Sequence, residues 1–309
     1  MSSRLFDKIY GCLAGSRIGS AMGAPPEGWR MEKIAATFGV LDTFQPYAHY
    51  DRTWKRPPGS TEDGIERQKL MITAIVEKQG RITAEDLVRT WIKVLDPEKM
   101  KYMTQPFDRD LLAVAKMGRV PAAQLGEFLG FPDVNTTARS FHAIPLINAC
   151  DTEAMIQDLH DVGRVYQPLK SDGFPGGVIY NAAVVEATRP SATVDSVIAE
   201  ALRHASTERT EGMHRAPKEL MEQALEIASR SSDPMNMRAP LNEIYNTEVG
   251  PYPYSLIWEN VAKALAIFAA TRGDVRQAVI VSINFGRDTD CLAASAAGLA
   301  GAFSGTSTI

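Results

Sequence analysis

Cysteine is scarce in this chain: three among 309 residues, Cys12, Cys150 and Cys291, all far apart. An odd number without short spacing excludes a disulfide framework and the paired spacing of a structural zinc site. A reducing cytoplasm is the expected location. Long apolar runs are also missing. The two most apolar stretches, 264–270 and 291–303, fall short of the ~20 residues that cross a bilayer. The opening residues, MSSRLFDKIYG, lack the apolar centre of a signal peptide. No membrane partner is therefore expected. Nor is there a surplus of positive charge. Lys and Arg number 33 against 37 Asp and Glu, a formal net charge of −4, which argues against a dedicated nucleic-acid binder. With 45% hydrophobic and 23% charged residues, the composition also excludes a disordered or fibrous chain.

What the sequence has in abundance is helical periodicity. Apolar residues recur every three or four positions in many segments, and alternating strand patterns are rare. The segment from Thr83 shows the pattern well. Asp86 stands three residues on as a capping-box partner, Leu87, Val88, Trp91, Ile92 and Leu95 form the stripe, and Pro97 ends it. Segment 193–206 repeats this with Val194, Val197, Ile198, Ala201 and Leu202. Further helices are predicted over 5–22, 61–79, 108–117, 152–162, 178–188, 217–229, 256–271, 275–283 and 289–303. Gly, Pro and Asp place loops at 24–28, 56–59, 167–177, 231–233 and 247–253. None has the length or composition of an interdomain linker. Residues 1–309 are thus expected to form one all-α domain, a compact multi-helix bundle. At this size folding buries about three-quarters of the chain's surface, enough for a core without disulfides.

The first helix carries a glycine every fourth residue: Gly11, Gly15, Gly19 and Gly23. Each interior helical glycine costs ~1 kcal/mol relative to alanine. Four on one face imply that another helix backbone packs closely there. Lys8 and Arg17 speak against a membrane stripe.

Side-chain oxygens collect in three places. Ser60-Thr61-Glu62-Asp63 follows a Pro-Pro-Gly turn. Alone, it reads as a capped helix start, with Ser60 as the cap, Asp63 closing a capping box and the acids at the positive end of the dipole. The chemical alternative is a hard-cation site, because a hydroxyl and carboxylates are the ligands that Mg²⁺, Mn²⁺ or Ca²⁺ prefer. Gly286-Arg287-Asp288-Thr289-Asp290-Cys291 lies between two apolar helices, where acids are costly without a partner. Glu27 closes Gly23-Ala24-Pro25-Pro26-Glu27, and by itself it reads as a loop acid. If Glu27, Glu62, Asp63, Asp288 and Asp290 meet, the cluster requires divalent ions or protonated carboxyls.

These motifs resemble the ADP-ribosylglycohydrolase family, which includes dinitrogenase reductase-activating glycohydrolases and ADP-ribosylarginine hydrolases. The family's glycine-spaced first helix ending in Gly-Ala-Pro-x-Glu is matched by Gly11 through Glu27. Its Thr-Asp-Asp-Thr helix start is matched by Thr61-Glu62-Asp63-Gly64. Its Asn-x-Gly-Gly-Asp-Thr-Asp-Thr turn is matched by Asn284 through Cys291. The three marks stand in family order and span nearly the whole chain. The resemblance implies an all-α bundle with a two-metal centre of Mg²⁺ or Mn²⁺ at the bottom of a cleft. It implies Thr61, Glu62, Asp63, Asp288 and Asp290 as ligands, Cys291 at a further ligand position and Glu27 near the second ion. It further implies cleavage of a glycosidic bond between ADP-ribose and a side chain or small acceptor.

The departures from the family pattern bear on that reading. Glu62 reaches one methylene further than Asp, Gly64 removes a hydroxyl, Ser20 stands where Asp is usual, and Cys291 offers sulfur to a hard cation. One of the two ions is therefore expected to be weakly held or absent. Arg287 replaces a glycine, either to bind a substrate phosphate or carboxylate or to pair with an acid. The central family segment is replaced by Ala138-Arg139-Ser140-Phe141-His142-Ala143-Ile144-Pro145. Segment 172–177, with Gly173, Phe174, Gly176 and Gly177, reads as a glycine-rich substrate loop.

Cleavage at ribose would pass through an oxocarbenium-like transition state. Glu27 is the first candidate to activate water and Asp63 the second. Trp29, Phe174 and Tyr180 could stack on the leaving group and His142 could contact substrate, although all four also suit packing roles. His49, His160, His204 and His214 form no group. Two other readings stay open within the family: a nucleosidase-like hydrolase of a small N-riboside, and a relative that binds ADP-ribose or a nucleotide without turnover. A purely structural protein is the third. Oligomeric state has no signature in the sequence.

Overall fold

The computed structural model describes residues 3–48, 55–96, 106–128, 132–210, 213–247 and 255–309. His49, Pro97 and most of the predicted 247–253 loop lie outside these ranges. The protein is helical almost throughout. In order, the helices are α1 (Arg4–Gly23), α2 (Met31–Phe38), α3 (Asp63–Lys78), α4 (Ala84–Val94), α5 (Pro106–Lys116), α6 (Thr136–Arg139), α7 (Ala143–Ile147) and α8 (Thr152–Gly163). They continue with α9 (Gly173–Thr188), α10 (Val194–Arg203), α11 (Pro217–Arg230), α12 (Arg238–Thr247), α13 (Ile257–Ala270), α14 (Val275–Ile283) and α15 (Thr289–Ser304). Two short 3₁₀ segments, Ala122–Phe128 and Pro234–Met237, join them. The strands among the described residues are β1 (Tyr47–Ala48) and β2 (Lys55–Arg56), an antiparallel pair with Tyr47 opposite Arg56. Among the described residues no helix is long and apolar enough to cross a membrane.

Local rules set the helix ends. Thr83 caps α4, accepting from the Asp86 amide while Asp86 accepts from Thr83, so the predicted capping box is present. Thr193 caps α10 in the same way, with Ser196. Helix α9 begins earlier than its sequence pattern predicts. Gly173, Phe174, Gly176 and Gly177 form its first turns and not a loop. Pro175 is tolerated there because first-turn amides have no helical partner. The glycines answer to close packing: Gly176 lies against Ile257 and Trp258 of α13, and Gly177 against Thr137 of α6.

Helix α9 is buried on all sides because it stands between two apolar clusters. Ile179, Ala183 and Val184 join the larger one, built on α11, α13, α14 and α15. Ala182 and Val185 join the smaller one, built on α3, α4, α5 and α8. A helix hydrophobic all round is what such a position requires.

The glycine stripe of α1 packs against α15. A Cβ on Gly15 would come within 3.0 Å of the Ala297 carbonyl carbon, and one on Gly23 within 2.6 Å of Asp290 Cα. Gly11 and Gly19 meet Gly301, Gly305 and Ala293 in the same register. The first and last helices of the chain are thereby held backbone to backbone, which brings the residues after Gly23 to the start of α15.

Candidate functional site

The α1–α15 contact delivers the Glu27 turn and the 286–291 oxygen cluster to one place. Thr289 Oγ1 donates to the Gly23 carbonyl at 2.7 Å. Two backbone bonds then clamp the Glu27 turn to the 286–288 turn: Gly28 N to Arg287 O and Arg287 N to Trp29 O, both 2.8 Å. The approach is so close that a Cβ on Gly286 (φ +73°) would lie 2.6 Å from the Trp29 carbonyl oxygen. Asp288 occupies the N-cap position of α15, yet its side chain makes no capping bond. Its Oδ2 accepts from Asn135 Nδ2 at 2.8 Å. Asn135 is itself seated by the pairing of segment 133–135 with 255–257.

The Ser60–Asp63 cluster arrives with α3. Glu62 holds the N-cap position and also makes no side-chain capping bond. Its carboxylate turns into the protein, where the Tyr47 hydroxyl donates to it and Arg56 Nη1 lies 2.8 Å away. The β1–β2 pairing fixes both partners. Asp63 is buried under two guanidiniums, Arg139 Nη2 at 2.7 Å and Arg67 Nη1 at 3.3 Å. Arg67 in turn pairs with buried Asp108 at 2.9 Å. Neither acid takes the capping role that fits this motif in isolation, and Ser60 Oγ donates to the Pro57 carbonyl instead.

Arg139, the last residue of α6, joins the clusters. The same guanidinium that binds Asp63 places Nη1 3.6 Å from Asp290 Oδ2. Acids more than 200 positions apart in the chain thus share one cation. Asp288, Asp290 and Cys291 offer ligand atoms within 4.8 Å of one another, all buried. Cys291 Sγ stands 3.6 Å from Asp290 Oδ2. Asp288 Oδ1 and Asp290 Oδ1 are buried without a hydrogen-bond partner, an arrangement whose cost a cation or a shared proton would offset.

Electrostatics differ across the site. Burial, then the Glu27 and Asp288 charges, push the Asp290 carboxyl well above the usual carboxylate range. Burial, Asp63 and Glu27 push Glu62 up to about 9, and the Arg139 charge opposes that rise. Asp63 goes the other way: burial raises it, but Arg139 and Arg67 together outweigh burial and hold it below the usual range. Glu27 is only half-buried, and its charge acts on both Glu62 and Asp290.

Other candidates lie elsewhere. The substrate contacts expected of His142, Phe174 and Tyr180 do not match their surroundings. His142 is sealed in the core, with Nε2 2.7 Å from the Tyr180 hydroxyl and Nδ1 2.9 Å from Gln68 Nε2. Tyr180 also donates to the Ser295 carbonyl at 2.7 Å. Phe174 is buried and stacks on His160. Gly173, Gly176 and Gly177 are buried in α9, not in a substrate loop. Trp29 is half-buried, stacked on Phe38, with the Lys33 ammonium 3.6 Å above its ring. Arg287 takes the acid-pairing option, meeting Glu259 through Nε at 2.7 Å and Nη2 at 2.8 Å. Thr61 is buried beside Glu62. Outside the clamp, a cleft of about 550 Å³ is bordered by Arg30, Glu32, Asn242, Glu243 and Arg287.

A family model for ADP-ribosylglycohydrolase matches residues 1–309. The chain belongs to the ADP-ribosylglycohydrolase family. Among curated relatives, the uncharacterized protein YegU of Escherichia coli (strain K12) is 26% identical over 321 residues, covering 98% of this chain and 89% of YegU. Among solved structures, an ADP-ribosylglycohydrolase-related protein complex superimposes with a TM-score of 0.69 at 16% identity, covering all of this chain and 91% of that one. That likeness concerns the fold. Within this family member, the site also contains Tyr47, Arg56, Arg67, Asp108, Asn135 and Arg139, none of which the motifs mark as site residues. The readable signal is Asn135 and Arg139, four residues apart in a short segment that otherwise packs into the core.

The residues present do not fit the family's two ions equally. On the Asp288–Asp290 side, unpartnered buried carboxylate oxygens fit a hard cation, and Cys291 is a soft third neighbour. On the Glu62–Asp63 side the carboxylates are already matched by guanidiniums.

Proposed function

We infer that the protein hydrolyses the glycosidic bond of an ADP-ribosyl group or a related N-riboside. What supports this reading is that Arg139 links Asp63 to Asp290 in an ADP-ribosylglycohydrolase fold, while the Glu27 charge acts on both Glu62 and Asp290. A divalent ion held by Asp288 and Asp290 would position ribose hydroxyls and lower the pKa of a nearby water.

The chain's own groups supply the rest. Glu27, half-buried and acting electrostatically on both Glu62 and Asp290, is assigned to accept the proton from the attacking water. As the water oxygen bonds to the anomeric carbon, the bond to the leaving nitrogen breaks, and the proton passes to that nitrogen. Asp63, locked between Arg139 and Arg67, keeps those guanidiniums in place and is poorly suited to proton transfer. The outer cleft has the volume of a small-molecule pocket, which suits the part of the substrate beyond the ribose.

The test is to incubate the protein with Mg²⁺ or Mn²⁺ and ADP-ribosylarginine, alongside a panel of nucleosides, and to follow released ADP-ribose or base. Release from ADP-ribosylarginine supports the first form of the reading, and release from nucleosides alone supports the N-riboside form. Ligand binding with no product from any of them would favour a non-catalytic binder. The dense pairing of Glu62 and Asp63 with arginines is the observation on that side.

A further inference from the structure

We propose that the Arg139 guanidinium stands in for one of the two divalent cations, so that the site holds at most one ion, on the Asp288–Asp290 side. Charge and geometry both divide the site. On the α3 side, Glu62, Asp63 and Asp108 face Arg56, Arg67 and Arg139 at 2.7 to 2.9 Å. Three carboxylates meet three guanidiniums, and nothing there calls for a further cation. On the α15 side, the nearest guanidinium nitrogen to Asp290 is the far end of Arg139, 3.6 Å away and beyond hydrogen-bond length. There the two Oδ1 atoms remain unpartnered.

Gly64 is what admits the guanidinium. A Cβ at this position would lie 2.9 Å from both Cδ and Cζ of Arg139, tighter than side chains tolerate. Any larger residue at the first turn of α3 would force the Arg139 side chain to shift. A guanidinium suits the position, because its planar fork can donate to two carboxylates at once and keeps its charge at any physiological pH. It differs from an ion in being covalently fixed, so no chelator removes it.

The inference concerns the same site as the hydrolase reading but rests on charge and space, not on the reaction. Metal-stripped protein would be titrated with Mn²⁺ by calorimetry, with electron paramagnetic resonance reporting whether two Mn²⁺ couple. The wild type is expected to bind at most one ion and to show no coupled pair. Arg139→Ala is expected to bind one ion more, and Arg139→Lys, which keeps the positive charge, to match the wild type. Two ions per wild-type chain would overturn the proposal, a measurement that needs no variant to fold. An unchanged count in folded Arg139→Ala would overturn it as well. Stoichiometry is read without substrate. Two ions in an active enzyme would therefore sink this inference alone, and one ion in an inactive protein would sink only the hydrolase reading.

Discussion

Arg287 holds a left-handed backbone (φ +64°), which costs an L-residue about 1 kcal/mol. In return its guanidinium grips buried Glu259 through two N–H groups, with Lys263 sharing Oε1 with its Nε. Arg287→Gly would relieve the backbone but strip one partner from a buried charge, a loss of about 1–3 kcal/mol. The ion pair wins, and the variant is expected to be less stable by about 1 kcal/mol. Urea unfolding would show a lower midpoint at unchanged slope; a higher midpoint would mean that strain dominates. Glu27 is a different case, because its carboxyl is only half-buried. Glu27→Gln is expected to lower kcat by ~10²–10⁴-fold with the fold intact, and unchanged turnover would remove it from the mechanism. The acids were readable because oxygen-bearing residues adjacent at a helix start are conspicuous. The arginines that neutralise them were not. Arg56, Arg67 and Arg139 come from three segments, and no local spacing marks a basic residue as buried.

The α1–α15 pair is where helix packing sets the chemistry. Its glycines let two backbones touch, and the contact ends at Asp290. Adding a methyl group anywhere along the stripe forces the helices apart, at about 1–3 kcal/mol. The functional effect should nevertheless be graded. Gly23→Ala intrudes on Thr289 and Asp290 and is expected to lower both stability and turnover, whereas Gly11→Ala, at the far end, is expected to lower stability alone. Unfolding midpoints and kcat of the two variants decide it, and equal losses of activity would show that the stripe acts only through stability. The stripe announced a close helix partner in the sequence, but not which one, since small residues fit any backbone. Helix α9 was misjudged for a related reason. Three glycines and a proline in 173–177 read as a loop, although their smallness serves contacts with α6 and α13. Helices α6 and α7, four and five residues long, are too short to show a period.

His142 is a polar group held neutral at the junction of several helices, with a consequence for the stability of the entire protein. It lies where α1, α3, α9 and α15 converge, with Ser16, Gln68 and Tyr180 about its ring and Gly298 making room for it. Complete burial pushes the imidazole down to about 3 from an ordinary value of 6.5. Between those limits the unfolded chain binds a proton that the folded chain refuses, so stability rises with pH across this window and falls on acidification. The most that one such group contributes is ~1.4 kcal/mol per pH unit. Carboxylates titrate in the same range, so the wild type alone cannot isolate the effect; the difference between wild type and His142→Gln can. Glutamine keeps a polar amide in the network but takes up no proton. The wild type's stability relative to this variant is expected to decline steadily from pH 6.5 to 4 and to be flat above pH 7, as measured by urea midpoints at each pH. A difference independent of pH would show that the ring charges without unfolding the core, and that the contact among these four helices opens more readily than its packing implies.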